Sequence, residues 1–95
     1  MLTGKQKRQL RALANNLKAI YQIGKEGLSD NFIEGIDLAL ENHELVKISV
    51  LKTCSIDTKE LAFDLSHSTS SELVQIIGRT IILYRKTKKN IIGLQ

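Results

Sequence analysis

The chain has no proline and no tryptophan, one cysteine, and only two phenylalanines and two tyrosines among its 95 residues. Each shortage excludes something. Without proline there is no evident rigid linker, and no low-complexity tract or internal repeat marks a boundary, so residues 1–95 are expected to form a single domain with one modest core. Cys54 cannot close an internal disulfide, which fits a reducing cytoplasm. The opening MLTGKQKRQLRA is broken by charges and does not read as a signal peptide. No apolar run reaches the length of a membrane helix, so a soluble protein with no membrane partner is expected. With so few rings, the core must be built from Leu, Ile and Val, and little aromatic surface is left for stacking on bases.

What is present is charge, and it is segregated. Residues 1–25 hold six Lys or Arg and no acid, residues 26–78 hold three basic and ten acidic residues, and residues 79–95 hold five basic residues and no acid. Blocks of +6, −7 and +5 lie behind the net charge of +4. If the fold brings the two ends together, one face becomes strongly basic beside an acidic one, and a basic face suits phosphate. The plainer alternative is two solvated basic tails.

The hydrophobic periodicity changes along the chain. Thr3 with Gln6 forms a capping-box pattern, and Leu10, Leu13, Ala14 and Leu17 recur at helical spacing, predicting a helix over about 4–17. Arg8, Arg11, Asn15 and Lys18 share its other side, with Lys5 and Lys7 nearby. Residues 19–23 read as a strand ended by Gly24. Ser29 fits an N-cap, with Leu28 and Ile33 as a hydrophobic staple, for a helix reaching about Asn42 whose solvent side carries Asp30, Glu34, Asp37 and Glu41. Residues 45–51 alternate as a half-buried strand. Asp57 with Glu60 opens a third helix ending near His67. Residues 73–77 and 80–85 are two β-branched runs joined by Gly78 and Arg79, the signature of a type II′ hairpin. After it comes a basic tail from about 86, in which Ile91 and Ile92 add a brief contact. The order α-β-α-β-α-β-β predicts an α/β fold, a two-layer α+β arrangement in which helices pack on a four-stranded mixed sheet.

Between the first strand and the second helix lies Gly24-Lys25-Glu26-Gly27. A GxxG loop at this position lets backbone N–H groups approach a sugar-phosphate chain, because neither glycine carries a blocking side chain. Two glycines three apart also occur in plain turns. The surrounding charge favours a nucleic-acid contact, with Lys25 at the loop, Lys5, Lys7, Arg8, Arg11 and Lys18 from the first helix, and Arg79, Arg85, Lys86, Lys88 and Lys89 from the last segment extending a phosphate track. Tyr84 offers either a stacking ring or a core residue, and Tyr21 has the same two readings.

The segments IGKEGLS, ENHELVKISV and QIIGRTIILYR resemble the CRM domain, the chloroplast RNA splicing and ribosome maturation family, and above all its stand-alone bacterial YhbY-type form. The resemblance runs from the basic first helix through Leu83-Tyr84-Arg85. It implies a fold like the C-terminal domain of translation initiation factor 3, RNA binding, and association with ribosomal RNA in precursors of the large ribosomal subunit as an assembly factor. The family's glycine loop falls on Gly24 to Gly27, its HEL element on His43, Glu44 and Leu45, and its closing stretch on Gly78, Leu83, Tyr84 and Arg85. Glu26 departs from the small, polar or basic residues usual between the loop glycines. It either weakens non-specific binding or turns away to cap the next helix.

Catalytic constellations are missing from the sequence. His43 and Glu44 do not make HExxH, because Lys47 stands where the second His is required. Cys54 has neither a second cysteine nor a matched His. There is no Walker loop and no GxSxG. The reading is a non-enzyme with no cofactor, no metal and no small-molecule substrate, acting as a monomer that binds RNA. The competing reading is a protein-interaction module docking on a ribosomal protein or an assembly GTPase through the acidic second helix or an exposed strand.

Overall fold

The computed structural model describes residues 2–95, with elements α1 (Gly4–Ala14), β1 (Tyr21–Ile23), α2 (Asp30–His43), β2 (Leu45–Val50), α3 (Thr58–Ser68), β3 (Glu72–Ile77) and β4 (Thr80–Tyr84). Local chemistry explains most boundaries. At α1 the capping box is complete: the Thr3 hydroxyl accepts from the Gln6 N–H at 3.1 Å and the Gln6 side chain accepts from the Thr3 N–H at 3.0 Å. The Ser29 hydroxyl accepts from the Phe32 N–H at 3.1 Å to open α2. Asp57 takes the N-cap position of α3 without making a side-chain cap bond. Gly78 has φ +57°, the positive value that the first central residue of a type II′ turn requires.

Two boundaries differ from expectation. α1 stops at Ala14, because Asn16 and Leu17 donate to Leu13 and Ala14 in tightened three-residue turns and the Lys47 ammonium donates to the carbonyls of Ala14 and Leu17, both at 3.3 Å. Leu13 and Leu17 are consequently exposed, and only Leu10 and Ala14 of the predicted stripe are buried. β1 begins at Tyr21, since the turn from Lys18 to Ile20 takes up the residues before it.

The strands form a four-stranded mixed sheet in the order β1-β2-β4-β3, with β1 parallel to β2 and β4 antiparallel to both of its neighbours. Strand alternation divides the side chains between two faces. Ile23, Val46, Ile48, Val50, Ile81 and Leu83 meet Ile36, Ala39 and Leu40 of α2 and Leu61, Ala62 and Leu65 of α3, which is the two-layer body of the fold. On the opposite face Leu45, Val74, Ile82 and Tyr84 pack under Leu10 and Ala14, so α1 adds a partial further layer. A bulge helps. The β3–β4 register jumps from Leu73↔Leu83 to Gln75↔Ile82, which sends Val74 to α1 while Leu73 and Ile76 both reach the α2–α3 side.

The segment after β4 does more than make a brief contact. Ile92 and Leu94 pack into the α1 cluster, and the Gln95 N–H donates to the Gln9 side chain at 3.5 Å. Its anchor is Glu44, fully buried between α2 and β2 at φ +66°, a backbone conformation that costs a non-glycine residue free energy. Its carboxylate accepts from the Thr87 N–H (2.7 Å), the Thr87 hydroxyl (2.8 Å) and the Ile92 N–H (2.8 Å), and its carbonyl accepts from the Arg85 N–H (2.9 Å). Burial alone pushes this carboxyl up, but the donors from Ile92, Thr87 and Ile91 outweigh it and hold the group below the ordinary carboxylate value.

Glu44→Ala is expected to lower stability by about 3 kcal/mol, because the donors of Thr87 and Ile92 lose their acceptor. The depressed native pKa means the unfolded chain binds the proton more readily. The contribution of Glu44 is therefore present above the unfolded value, about 4.3, and is lost as pH falls through the native one. Denaturant unfolding followed from pH 7 to pH 3 should show a steep acid limb in the parent protein and a shallower one in Glu44→Gln.

Candidate nucleic-acid interface

The GxxG loop starts where β1 runs out at the free edge of the sheet. The Gly27 N–H donates to the Gly24 carbonyl at 3.0 Å, closing a four-residue turn with Lys25 and Glu26 exposed at its tip. The two glycines are not equivalent. Gly27 is buried at φ +67°, and a Cβ there would lie 3.0 Å from Ile56 Cδ1, so the fold itself demands glycine. Gly24 has an ordinary φ, and a Cβ would find Leu51 Cδ1 at 3.7 Å and Thr53 Oγ1 at 3.8 Å, normal contacts that the fold tolerates. Leu28 then packs on the core and Ser29 caps α2, so the orphan N–H groups of the helix start follow directly behind the loop. With Ser29 in the cap position, Glu26 is left exposed in the turn.

Arg79 lies beside this loop. Its guanidinium donates to the carbonyls of Val50 (3.1 Å), Leu51 (2.7 Å) and Cys54 (3.5 Å), which pins a cation against the Leu51–Cys54 turn that borders Gly24. Lys52, exposed in that same turn, was not singled out by motif or periodicity. Only the contact between the turn and Gly24 makes it a neighbour of the loop.

The remaining sequence candidates separate into three groups. Lys5, Arg8, Arg11 and Lys18 are exposed and Lys7 is half-buried, all on or just after α1, with Lys18 beyond the helix end. Lys86, Lys88 and Lys89 are exposed on the segment that Glu44 folds back beside α1. The two basic ends of the chain therefore do meet each other. The tail lysines do not meet the glycine loop: Glu44 tethers their segment at the start of β2, whereas Gly24 borders the residues that follow its end.

Two candidates are corrected. Tyr84 is 4% exposed under α1, with its hydroxyl pKa raised by burial and by the Glu44 charge, so the ring is a core residue and cannot stack on a base. Arg85 is held by the fold: its guanidinium pairs with the Asp37 carboxylate, donates to the carbonyls of Thr69 (2.7 Å) and Asp37 (2.9 Å), and lies 3.9 Å from Glu41. It ties the end of β4 to α2, so its charge is already engaged by the fold. Asp30, Glu34, Asp37, Glu41, Glu60 and Asp64 are exposed on α2 and α3, the face opposite α1.

His43 and His67 are exposed in the last turns of α2 and α3, and Cys54 is buried. Among the described residues no group of three or more His, Cys, Asp and Glu is placed to hold a metal ion, and no helix is long and apolar enough to cross a membrane.

Residues 2–85 match the CRS1 / YhbY (CRM) domain, and the chain belongs to that family. It is 51% identical to "Probable RNA-binding protein YqeI" of Bacillus subtilis over 90 residues, 95% of this chain and 94% of that protein. An "RNA-binding protein" of Haemophilus influenzae is 34% identical over 89 residues, covering 93% and 89% of the two chains. The fold matches the solution structure of the hypothetical protein SAV1595 from Staphylococcus aureus with a TM-score of 0.83 and 54% identity, over 100% of this chain and 98% of that one. The mixed α/β architecture and the resemblance read from IGKEGLS, ENHELVKISV and QIIGRTIILYR thus agree with independent comparisons.

The asymmetry of the glycines gives a test in thermal denaturation. Gly27→Ala should cost about 1–2 kcal/mol, from its positive φ and the Ile56 contact, whereas Gly24→Ala should change stability by less than about 0.5 kcal/mol. Arg85→Ala should also destabilise, by about 1–2 kcal/mol, through the carbonyls and carboxylate it leaves without a donor.

Proposed function

We propose that this chain binds RNA as a compact non-catalytic unit in the cytoplasm, and that its target is ribosomal RNA in precursors of the large ribosomal subunit, where it acts as an assembly factor. The observation that carries the reading is sidedness. α1 and the folded-back tail present Lys and Arg on one face, while the exposed acids of α2 and α3 occupy the other, so a polyanion is attracted to one side and turned away from its opposite. The GxxG loop supports it: Gly24 is a glycine that the backbone conformation does not require, which suits close approach of a ligand backbone. The names of the relatives are consistent with the same class of ligand. With Tyr84 buried, the binding is to shape and to the sugar-phosphate chain, with little stacking.

A second reading draws on the exposed side chains of Leu13, Leu17 and Ile20 around a groove of about 430 Å³ between the end of α1 and the start of β1. Such a surface suits a protein partner, such as a ribosomal protein or assembly GTPase. Survival of co-sedimentation with pre-ribosomal particles after RNase treatment would favour it.

Binding of a ribosomal-RNA fragment measured from low to high salt tests the leading reading. Affinity should fall steeply with salt, and Arg8→Ala and Arg11→Ala should each reduce the logarithmic slope by about 0.7–0.9. An unchanged slope in the double variant would remove α1 from the interface. Crosslinking in cells followed by sequencing should recover large-subunit ribosomal RNA, and recovery of other RNAs alone would overturn the ribosomal assignment.

A further inference from the structure

The face of the sheet that carries α1 is only half covered. α1 packs on Leu45, Val74, Ile82 and Tyr84 and reaches no further than Lys47, whose ammonium caps its end. Beyond that level the strand register lines up one row across the whole sheet. Gln22 of β1 is opposite Ser49 of β2, Ser49 is opposite Thr80 of β4, and Thr80 is opposite Ile77 of β3. Their neighbours along the strands, Ile23, Ile48, Val50, Ile81 and Ile76, turn toward α2 and α3, so the row faces the α1 side. Gln22 and Ile77 are exposed, and Ser49 and Thr80 are half-buried.

Three properties of this row matter. None of the side chains of Gln22, Ser49 and Thr80 is engaged by another described residue, in contrast to Thr69 and Thr87, whose hydroxyls the fold uses. The row contains no charge and no ring, which excludes phosphate neutralisation and base stacking as its contribution. It is also continuous with the glycine loop, because Gln22 stands two residues before Gly24, and with the hairpin, because Arg79 directly precedes Thr80. Adjacent strands are about 4.8 Å apart, so the row offers hydroxyl, hydroxyl and amide at that step. Each of these groups both donates and accepts, as the ribose 2′-hydroxyl does.

We infer that Gln22, Ser49 and Thr80 form a ribose-reading floor, hydrogen-bonding 2′-hydroxyls of an RNA strand whose phosphates lie against the glycine loop and the cations of α1, so that this row makes the protein prefer RNA to DNA. The inference rests on the RNA-binding reading above. Lys25 and Arg8 then supply attraction common to both nucleic acids, and the row supplies the discrimination between them.

The test uses the full chain and three probes of one sequence: an RNA stem-loop, the same stem-loop with 2′-O-methyl riboses, and the DNA stem-loop. The parent protein should bind the RNA about tenfold or more tightly than either of the others, the size expected from a few hydrogen bonds of modest net strength. The combined variant Gln22→Ala, Ser49→Ala, Thr80→Val should bring the three affinities to within about twofold of one another with the salt slope unchanged. Thr80→Val alone, which keeps β-branching, should show part of the same loss and serves if the combined variant does not melt cooperatively. A parent protein that binds RNA and DNA equally, or variants that keep the preference, would overturn the inference while leaving RNA binding in place. A parent protein that binds none of the probes would instead overturn the RNA-binding reading on which it stands.

Discussion

A carboxylate buried at position 44 holds the two halves of this molecule together. It sits where α2 gives way to β2, in a backbone conformation that only a compensating set of bonds sustains, and it collects donors from residues 43 and 48 positions further along the chain. Without that acceptor the segment after β4 loses its polar anchor. Without the segment, Ile92 and Leu94 no longer cover the flank of α1, whose own fully buried contribution is limited to Leu10 and Ala14. The placement of the tail lysines beside those of α1 thus depends on an acid that is itself buried.

The polar side chains divide according to whether the fold has already used them. Arg85, Arg79, Lys47, Glu44, Thr69 and Thr87 are all committed to carbonyls, carboxylates or N–H groups of the protein. The cations of α1, apart from half-buried Lys7, and those of the tail are exposed, as are the acids of α2 and α3 on the far side. Charge counted along the sequence overstates the basic face by Arg85 and partly by Arg79. The first is neutralised on the acidic side, and the second works as a brace between strands while still holding its charge near the glycine loop.

The order of elements was legible because each has a local signal: a capping box at Thr3, an N-cap at Ser29, alternation through Val46, Ile48 and Val50, and a glycine at the hairpin turn. The end of α1 was not, because the lysine that terminates it comes from a strand more than thirty residues later. At Tyr84 the strand pattern leaves a stacking ring and a core residue both open, and at Arg85 it shows only a cation, because their environment is set by Glu44, by Asp37 and by the packing of α1, none of which is close in sequence. The HEL motif marked Glu44 without disclosing its role, since its partners are mostly backbone N–H groups, which every residue except proline carries. The polar row across the sheet was hidden for a related reason: it exists only through strand register, and no periodicity along one segment reveals which residues of four strands stand side by side.

The tethering of residues 87 and 92 to position 44 also bears on how the protein comes into being. A nascent chain that has produced α1 through β4 still lacks the donors its buried acid requires, and that acid must stay hydrated until they emerge. Closure of the molecule is therefore deferred until residues 87–92 have been made, and the surface flanking α1 takes its final shape only when that stretch has left the exit tunnel.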